Sequence, residues 1–327
     1  MTVMRPVMGP VMGSVFNRPF AGSDYEFNFG GSLSPGATLT RASTGWYFDS
    51  AGVLQSAAND IARFNYSPST LALEGLLVEP ARTNSIRNNT MVGAIAGTPG
   101  TAPTNWNVSS SLNNVTREIV GAGTEDGINY IDVRYSGTPN LTTSGNIFPE
   151  NIVGIAAAAG QVWNFRSFGR LVSGSLTNVA FLSQLREING GGSTVAFSNL
   201  SITPTSAALR TQQFNQTRTL SDGTTAFVSG NINFAYINGL AVDFTFRFGL
   251  PQAEQGSAAS SPIKTSSAAV TRSADVLSLA LPNGTYDIDI TRASGVTNVL
   301  GAVVSGGAYT VPTDLSPLQS VVARRVA

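Results

Sequence analysis

Any catalysis by this chain would have to use carboxylates, hydroxyls, arginines or its single lysine, because its 327 residues include no histidine and no cysteine. Serine–histidine and cysteine–histidine catalysis, histidine metal sites, a histidine pH switch and disulfide bonds are therefore excluded. Glycoside hydrolysis stays open, because it needs only two carboxyl groups about 5–10 Å apart across a sugar. The search for chemistry therefore begins with paired acidic residues.

Two pairs of acidic residues have suitable spacing. Asp287 and Asp289 alternate with apolar residues, so they would share one face of a strand about 7 Å apart. A solvated strand face explains them equally well. Glu125 and Asp126 precede a glycine and indicate a turn. We therefore predict no catalytic residue and no enzyme, with a glycan-depolymerising protein as an alternative, although no repeats of a parallel β-helix are visible.

Carboxylates could also hold a metal ion. Glu125, Asp126 and Asp243 are candidates by residue type for a structural calcium ion, which prefers carboxylate and carbonyl oxygens. No acidic loop has EF-hand spacing. A structural Ca²⁺ is left open, and no other cofactor is predicted.

Sugar binding needs a flat apolar surface flanked by hydrogen-bonding groups, and aromatic rings with nearby amides supply both. Trp106 lies between Asn105 and Asn107 in a polar segment. An exposed indole there would form a glycan site with the two amides. Packing of Trp106 in the core is the alternative.

The composition limits the partners. Charged residues make up 12% of the chain, the net charge is zero, and basic residues are scattered. Nucleic-acid binding needs clustered cations, so it is disfavoured. No apolar run is long enough to span a membrane, and prolines and an arginine interrupt the apolar N-terminus, so we expect neither membrane insertion nor a secretion signal.

Short apolar alternations separated by turn residues predict the elements that would position these groups. Val242, Phe244, Phe246 and Phe248 form the clearest period-two pattern of a strand. We predict an all-β chain built around a jelly-roll-like antiparallel β-sandwich. The expected parts are an extended arm at residues 1–20, an N-terminal β module at 21–90, the sandwich at 91–275 and a small C-terminal β module at 276–327.

The arm contains a short repeat, PVMGPVMG at residues 6–13, and four of the five methionines. Its prolines and glycines exclude a helix. An apolar, Met-rich arm beside a surface with few charges predicts packing against a neighbouring subunit, so we expect a homo-oligomer, most simply a homotrimer.

Two blocks of sequence resemble a known family. Residues 63–68 (RFNYSP) and 74–84 (EGLLVEPARTN) fit the pattern RF-x-Y-x-P followed by GLL-x-E-x-x-RTN, and a second block comprises residues 252–257 (QAEQGS), 261–263 (SPI) and 270–275 (VTRSAD). This pattern resembles head-fibre (spike) and tail-fibre proteins of tailed bacteriophages and gene transfer particles. The resemblance covers roughly residues 25–280.

The resemblance implies a jelly-roll, carbohydrate-binding-like domain on the surface of a phage or phage-like particle, made in the host cytoplasm. We expect a structural fibre protein that attaches to capsid, neck or tail proteins and binds host surface polysaccharide. A decoration or cement protein without a ligand is the second alternative. Within the signature we expect structural roles for Arg63, Glu79, Arg82, Asn84 and Arg272, with a Glu79–Arg82 pair fixing the N-terminal module to the sandwich.

Overall fold

The computed structural model describes residues 24–109 and 113–326, so the predicted arm at residues 1–20 lies outside the described residues. The described residues form 23 strands, numbered β1 to β23 in chain order, and one short 3₁₀ helix, Leu209–Thr211. No helix among them is long and apolar enough to cross a membrane.

Two five-stranded antiparallel sheets form the sandwich, which confirms the predicted all-β, jelly-roll-like class. The first sheet has the order β15 (Gln213–Thr219), β12 (Val162–Ser175), β17 (Val242–Gln255), β10 (Ile128–Gly137) and β9 (Val115–Glu125). The second sheet has the order β14 (Thr194–Ile202), β13 (Val179–Asn189), β16 (Thr225–Tyr236), β11 (Thr143–Phe148) and β8 (Asn107–Val108).

Aromatic residues fill the space between these sheets. Phe244 and Phe246 point inward from β17, as their period-two pattern predicts, and both are buried. They meet Phe181 and Phe234 of the second sheet, with a ring separation of 5.0 Å between Phe181 and Phe246. Such pairs add about 0.5–1.5 kcal/mol each beyond the burial of area. This packing fixes which face of each strand points outward.

The remaining strands form a second body, here called the base. Its larger sheet has the order β21 (Gly295–Val304), β20 (Gly284–Arg292), β23 (Leu318–Arg325), β6 (Leu73–Leu76) and β5 (Phe64–Tyr66), with β1 (Tyr25–Asn28) also paired to β23. A three-stranded sheet has the order β2 (Ala37–Thr40), β19 (Val276–Ala280) and β22 (Ala308–Val311).

The base corrects the predicted boundaries, because the N-terminal and C-terminal modules are one unit. Strand β1 pairs with β23, and β2 pairs with β19. Their apolar side chains form one core, in which Phe27 and Leu76 pack with Ile288 and Leu318. Neither segment alone could cover the apolar face of its own strands, so the two must fold together.

A hairpin of β3 (Gly45–Phe48) and β4 (Leu54–Ala57), and a pair of β7 (Arg82–Asn84) and β18 (Val270–Arg272), connect the base to the sandwich. Phe48 and Leu54 of the hairpin pack with Phe168 and Leu250 of the first sheet. The base therefore covers part of the outer surface of the first sheet. On the second sheet, the outward ring of Phe197 remains 54% exposed.

Candidate functional site

Trp106 packs in the core of the sandwich. This is the second of the two alternatives that the sequence left open, and the indole is not the exposed ring of a glycan site. Its side chain is 8% exposed, and its ring meets that of Phe248 edge-on at 5.6 Å. The indole Nε1 donates a 2.6 Å hydrogen bond to the carbonyl oxygen of Asn88. The polar segment folds back over the ring, so the indole cannot offer its flat face to a sugar.

The neighbours of Trp106 nevertheless line an open cleft of about 500 Å³. It lies at the edge of the sandwich, where β8 of the second sheet meets β9 of the first. Asn105 adopts a left-handed backbone conformation (φ +71°) that turns the chain there, and the side chain of Asn107 is exposed. The wall of the cleft also includes Phe148, Asn151 and Arg117.

Asn107 belongs to a larger set of amide side chains on the outer face of the second sheet, here called the amide face. Residues opposite each other in neighbouring antiparallel strands point to the same side. Because the opposite side of this sheet is the apolar core, the register places six amides together on the outer side: Asn107, Asn146, Gln184, Asn199, Asn231 and Asn233.

Hydrogen bonds between strands hold these amides in place. Asn231 Nδ2 donates to Asn146 Oδ1 at 2.9 Å and to Gln184 Oε1 at 3.0 Å. Asn233 Nδ2 also donates to Asn146 Oδ1, and Gln184 Nε2 donates to Asn199 Oδ1. Three of them, Gln184, Asn231 and Asn233, are buried, so the central amides have fixed orientations. The outcome is a rigid polar surface.

Two rings and one cation complete the amide face. Phe148 lies opposite Asn107, and Phe197 lies opposite Arg186. The guanidinium carbon of Arg186 is 5.3 Å from the centre of the Phe148 ring. Burial lowers the pKa of Arg186. An exposed ring beside amides and a fixed guanidinium is the arrangement that the sequence had suggested for Trp106.

Arg87, which also borders the cleft, differs from Arg186 because it has an acidic partner. Its Nε and Nη2 donate to the two carboxylate oxygens of Glu150 at 3.0 and 2.6 Å. This bidentate hydrogen bond raises the pKa of Arg87. Arg87 therefore compensates the negative charge of Glu150 beside the cleft.

The signature residues meet elsewhere, in a buried ionic cluster between base and sandwich that we call the junction. Its members are Arg41, Arg63, Glu79, Arg272 and Asp275, all 1% exposed or less. Arg63 Nη2 lies 2.9 Å from Glu79 Oε2 and 2.7 Å from Asp275 Oδ2, and Arg41 Nη1 lies 3.0 Å from Asp275 Oδ1. Burial would raise the pKa of Glu79, but Arg272 and Arg63 lower it.

The expected partner of Glu79 was Arg82, and here the structure differs. Glu79 pairs with Arg63 and, at 3.4 Å, with Arg272. Arg82 points away from this cluster and lines a smaller cavity of about 240 Å³ beside Trp163. Asn84 is fully buried and donates to the carbonyl oxygen of Ile263.

The calcium candidates do not come together. Glu125 and Asp126 lie at one end of the β9–β10 hairpin, whereas Asp243 is level with Ser136 near its other end, on the order of 25 Å away. Each has an arginine partner: Arg247 for Glu125, Arg210 for Asp126 and Arg134 for Asp243. The described residues contain no group of three or more acidic side chains suited to a metal ion.

Asp287 and Asp289 share one face of β20, as their spacing predicts, but both have local partners. Asp289 binds Arg324 and accepts from Asn298, and Asp287 accepts from the backbone nitrogen of Gly301. Neither lines one of the clefts described above. These contacts match the solvated strand face.

Neither Phe197 nor Arg186 is among the site residues predicted from the sequence. In β14 both alternating sets contain apolar residues, with Phe197 in one and Leu200 in the other, so period two does not reveal the outward face. The sequence pattern behind the amide face is the two-residue spacing of Asn231 and Asn233 in β16, which does not by itself identify a strand.

No family model and no curated protein matches the sequence. Among solved structures, the CBM22-1 xylan-binding domain from Paenibacillus barcinonensis aligns with 54% of this chain and 94% of its own, at 12% identity and a TM-score of 0.32. The tripod from the baseplate of bacteriophage Tuc2009 aligns with 90% of this chain and 99% of its own, at 11% identity and a TM-score of 0.37. The family 11 carbohydrate-binding module of a Clostridium thermocellum cellulase aligns with 50% of this chain and 94% of its own, at 17% identity and a TM-score of 0.28.

Proposed function

We propose that this chain is a non-enzymatic fibre or spike protein of a phage particle that binds host surface polysaccharide through the amide face. The observation that carries the proposal is the outer surface of the second sheet, which carries five hydrogen-bonded amides, the exposed amide of Asn107 and the exposed ring of Phe197. Amides hydrogen-bond to sugar hydroxyls in both directions, and an aromatic ring packs against the C–H side of a sugar.

The particle and the partners are part of the same proposal. The signature that resembles phage fibre proteins supplies the junction residues Arg63, Glu79 and Arg272, which join the base to the sandwich. In this arrangement the base and the arm of residues 1–20 attach to capsid, neck or tail proteins, and the amide face points to the host. Assembly as a homotrimer, with several copies per particle, would convert weak single sites into strong attachment.

The non-enzymatic assignment is supported by the placement of the acidic residues. The outward positions of the five strands of the second sheet carry amides, hydroxyls, apolar groups and Arg186, and no carboxylate among the described residues. Glycoside hydrolysis would need two carboxyl groups on opposite sides of a bound sugar. Bound polysaccharide should therefore remain intact.

The test uses the full chain and purified host polysaccharide, with binding and fragment release measured together. Binding without fragments supports the proposal, and fragments would indicate a depolymerase. Phe197→Ala should weaken binding by about five- to 150-fold, because stacking on one ring contributes about 1–3 kcal/mol. Ile61→Ala is the matched control, since Ile61 is equally exposed at 56% but lies between β4 and β5, outside the second sheet. Equal losses in both variants would contradict the proposal.

A second function is favoured by one observation in the base. Strand β21 is an edge strand with three exposed aliphatic side chains, Val296, Leu300 and Val303, the last of them 77% exposed. Uncovered apolar edges usually pair with another chain. A decoration or cement protein without a ligand would use this edge to bind the particle. It would incorporate into particles but bind no host polysaccharide in the assay above.

A further inference from the structure

Arg186 has no ion pair with a carboxylate among the described residues, unlike Arg134 and Arg247 on the outer face of the first sheet. Its Nε and Nη2 donate to Gln184 Oε1 at 3.2 and 2.5 Å, and Nη2 also donates to Asn146 Oδ1 at 3.3 Å. These acceptors are neutral amides. An arginine stays protonated at every physiological pH, so a full positive charge remains on the amide face.

The guanidinium of Arg186 also keeps unused hydrogen-bonding capacity. Its Nη1 has no hydrogen-bond partner among the described residues, and it is not among the enclosed side-chain atoms that lack one. Nη1 is therefore open to solvent, while the two other nitrogens hold the group in place. The Phe148 ring beneath the guanidinium restrains it further. This is a pre-oriented cation with a donor facing outward.

The opposite sheet shows what a compensated outer face looks like in the same sandwich. There Arg134 pairs with Asp243 at 2.9 Å, and Arg247 pairs with Asp132 at 2.7 Å. Both carboxylates lie on strands next to those of their arginines. On the amide face the corresponding neighbours of Arg186 are Phe197 and Ser229. Neither of these neighbours carries a carboxylate, so the negative charge that would compensate Arg186 would have to come from a ligand.

We propose that the polysaccharide bound by the amide face is acidic, and that a carboxylate on a sugar ring binds Arg186. Phe197 lies directly across from Arg186, with side chains about 5 Å apart at their bases. One sugar ring can therefore contact the aromatic ring while its carboxylate reaches Nη1. Asn199 lies two residues from Phe197 on the same face and can bind a hydroxyl of that sugar.

Partial burial strengthens this contact. Charge-assisted hydrogen bonds between a guanidinium and a carboxylate are about twice as strong as those between neutral groups. Burial has already removed part of the water from Arg186, which lowers its pKa, so an arriving carboxylate relieves a cost that the free protein bears. Neutral sugars would gain the amide and ring contacts but not this one.

The inference rests on the proposed carbohydrate binding, and the experiment separates the two. Polygalacturonate, alginate and hyaluronate are each compared with their methyl-esterified forms, which keep the sugar backbone and remove the charge. We expect at least one acidic polymer to bind about ten- to a hundredfold more tightly than its ester. Its binding should weaken as sodium chloride is raised from about 0.05 to 0.5 M, because salt screens the charge.

Variants then assign the effect to Arg186. Arg186→Gln should abolish the preference for the acidic form, and Arg186→Lys should retain part of it. Arg134→Gln, on the outer face of the opposite sheet, is the control and should change nothing. Folding is verified by the melting temperature of each variant.

Each outcome is decisive. Equal binding of acidic and esterified forms, or a preference that survives Arg186→Gln, overturns the inference while leaving carbohydrate binding in place. Lipoteichoic acid, whose charge is phosphate, is assayed in parallel, and binding of it but of no carboxylate polymer overturns the inference in favour of another anion. Binding of no polymer in either form overturns both proposals.

Discussion

The junction and the amide face are both polar regions of an apolar β protein, but they treat charge in opposite ways. In the junction, three arginines converge on Glu79 and Asp275, and every member is buried. On the amide face, one arginine lies among neutral amides and keeps a donor open to solvent. The junction contains its own carboxylates, whereas the described residues of the amide face include none.

This difference separates a structural role from a binding role. Asp275 accepts from Arg41, Arg63 and the backbone nitrogen of Glu79 and is only 1% exposed, so it is closed to a ligand. In the junction each arginine lies within 4 Å of a buried carboxylate, and such a cluster specifies how two bodies meet, because separating them would leave buried charges without a partner. The presence of an arginine does not by itself distinguish the two regions, since both contain one or more.

Removal of the charge of Asp275 should give the largest effect. Asp275→Asn leaves Arg41 and Arg63 short of a buried anion, so we expect a loss of about 3–5 kcal/mol in the free energy of unfolding. Urea denaturation measures it. Asp243→Asn, which breaks only the exposed pair with Arg134, should cost less than about 1 kcal/mol. Similar losses in the two variants would mean that the junction is not the joint between base and sandwich.

Lowering the pH should reveal how much another paired carboxylate, Glu187 of the sandwich, contributes to the free energy of unfolding. Burial would raise its pKa, but hydrogen bonds from Asp222, Thr225, Ser221 and Arg218 lower it to about 2. Because the pKa of Glu187 is lower in the folded state, its ionised form stabilises the fold fully above the unfolded pKa near 4.5. This stabilisation is lost as the pH falls through the folded-state pKa of about 2. The contribution is about 3 kcal/mol.

The comparison with Glu187→Gln isolates that contribution from other carboxylates. The difference in unfolding free energy between the two proteins should be constant above about pH 5 and shrink steadily from pH 4.5 towards pH 2. Chemical denaturation across this range measures it. A difference that stays level down to pH 3 would show that Glu187 is not stabilised by its partners.

The sequence predicted the parts of the fold that local patterns determine. Alternation along β17 identified its inward phenylalanines. The pairing of β1 with β23 joins residues nearly 300 positions apart, and no local signal encodes it. The amide face escaped prediction for a different reason. Asparagine is typical of loops, so Asn231 and Asn233 gave no sign of occupying a central strand.

Trp106 tests whether the cleft depends on packing beneath it. Trp106→Phe keeps an aromatic ring against Phe248 but removes the hydrogen bond to Asn88, so we expect a loss of about 1–2 kcal/mol in stability. Polysaccharide binding should be nearly unchanged, because the indole is buried under the cleft. Thermal and urea unfolding give the first quantity, and isothermal titration with the bound polymer gives the second. If Trp106→Phe strongly weakened binding without loss of stability, Trp106 would contact the ligand directly.

The smallest effect on stability, and the finest test of the comparison, comes from Asn107. Its side chain is exposed at the end of the amide face beside the cleft, so Asn107→Ala should change the free energy of unfolding by less than about 0.5 kcal/mol. If the ligand extends from Phe197 across the sheet to the cleft, long chains should bind several-fold more weakly to this variant, while short oligosaccharides that reach only Phe197 should bind normally. Asn238→Ala, an exposed asparagine in a turn, is the control for both lengths. Equal binding of long chains to Asn107→Ala and the unaltered protein would confine the site to the part of the sheet around Arg186 and Phe197. The cleft would then have no share in recognition, and the binding region would be smaller than the amide face.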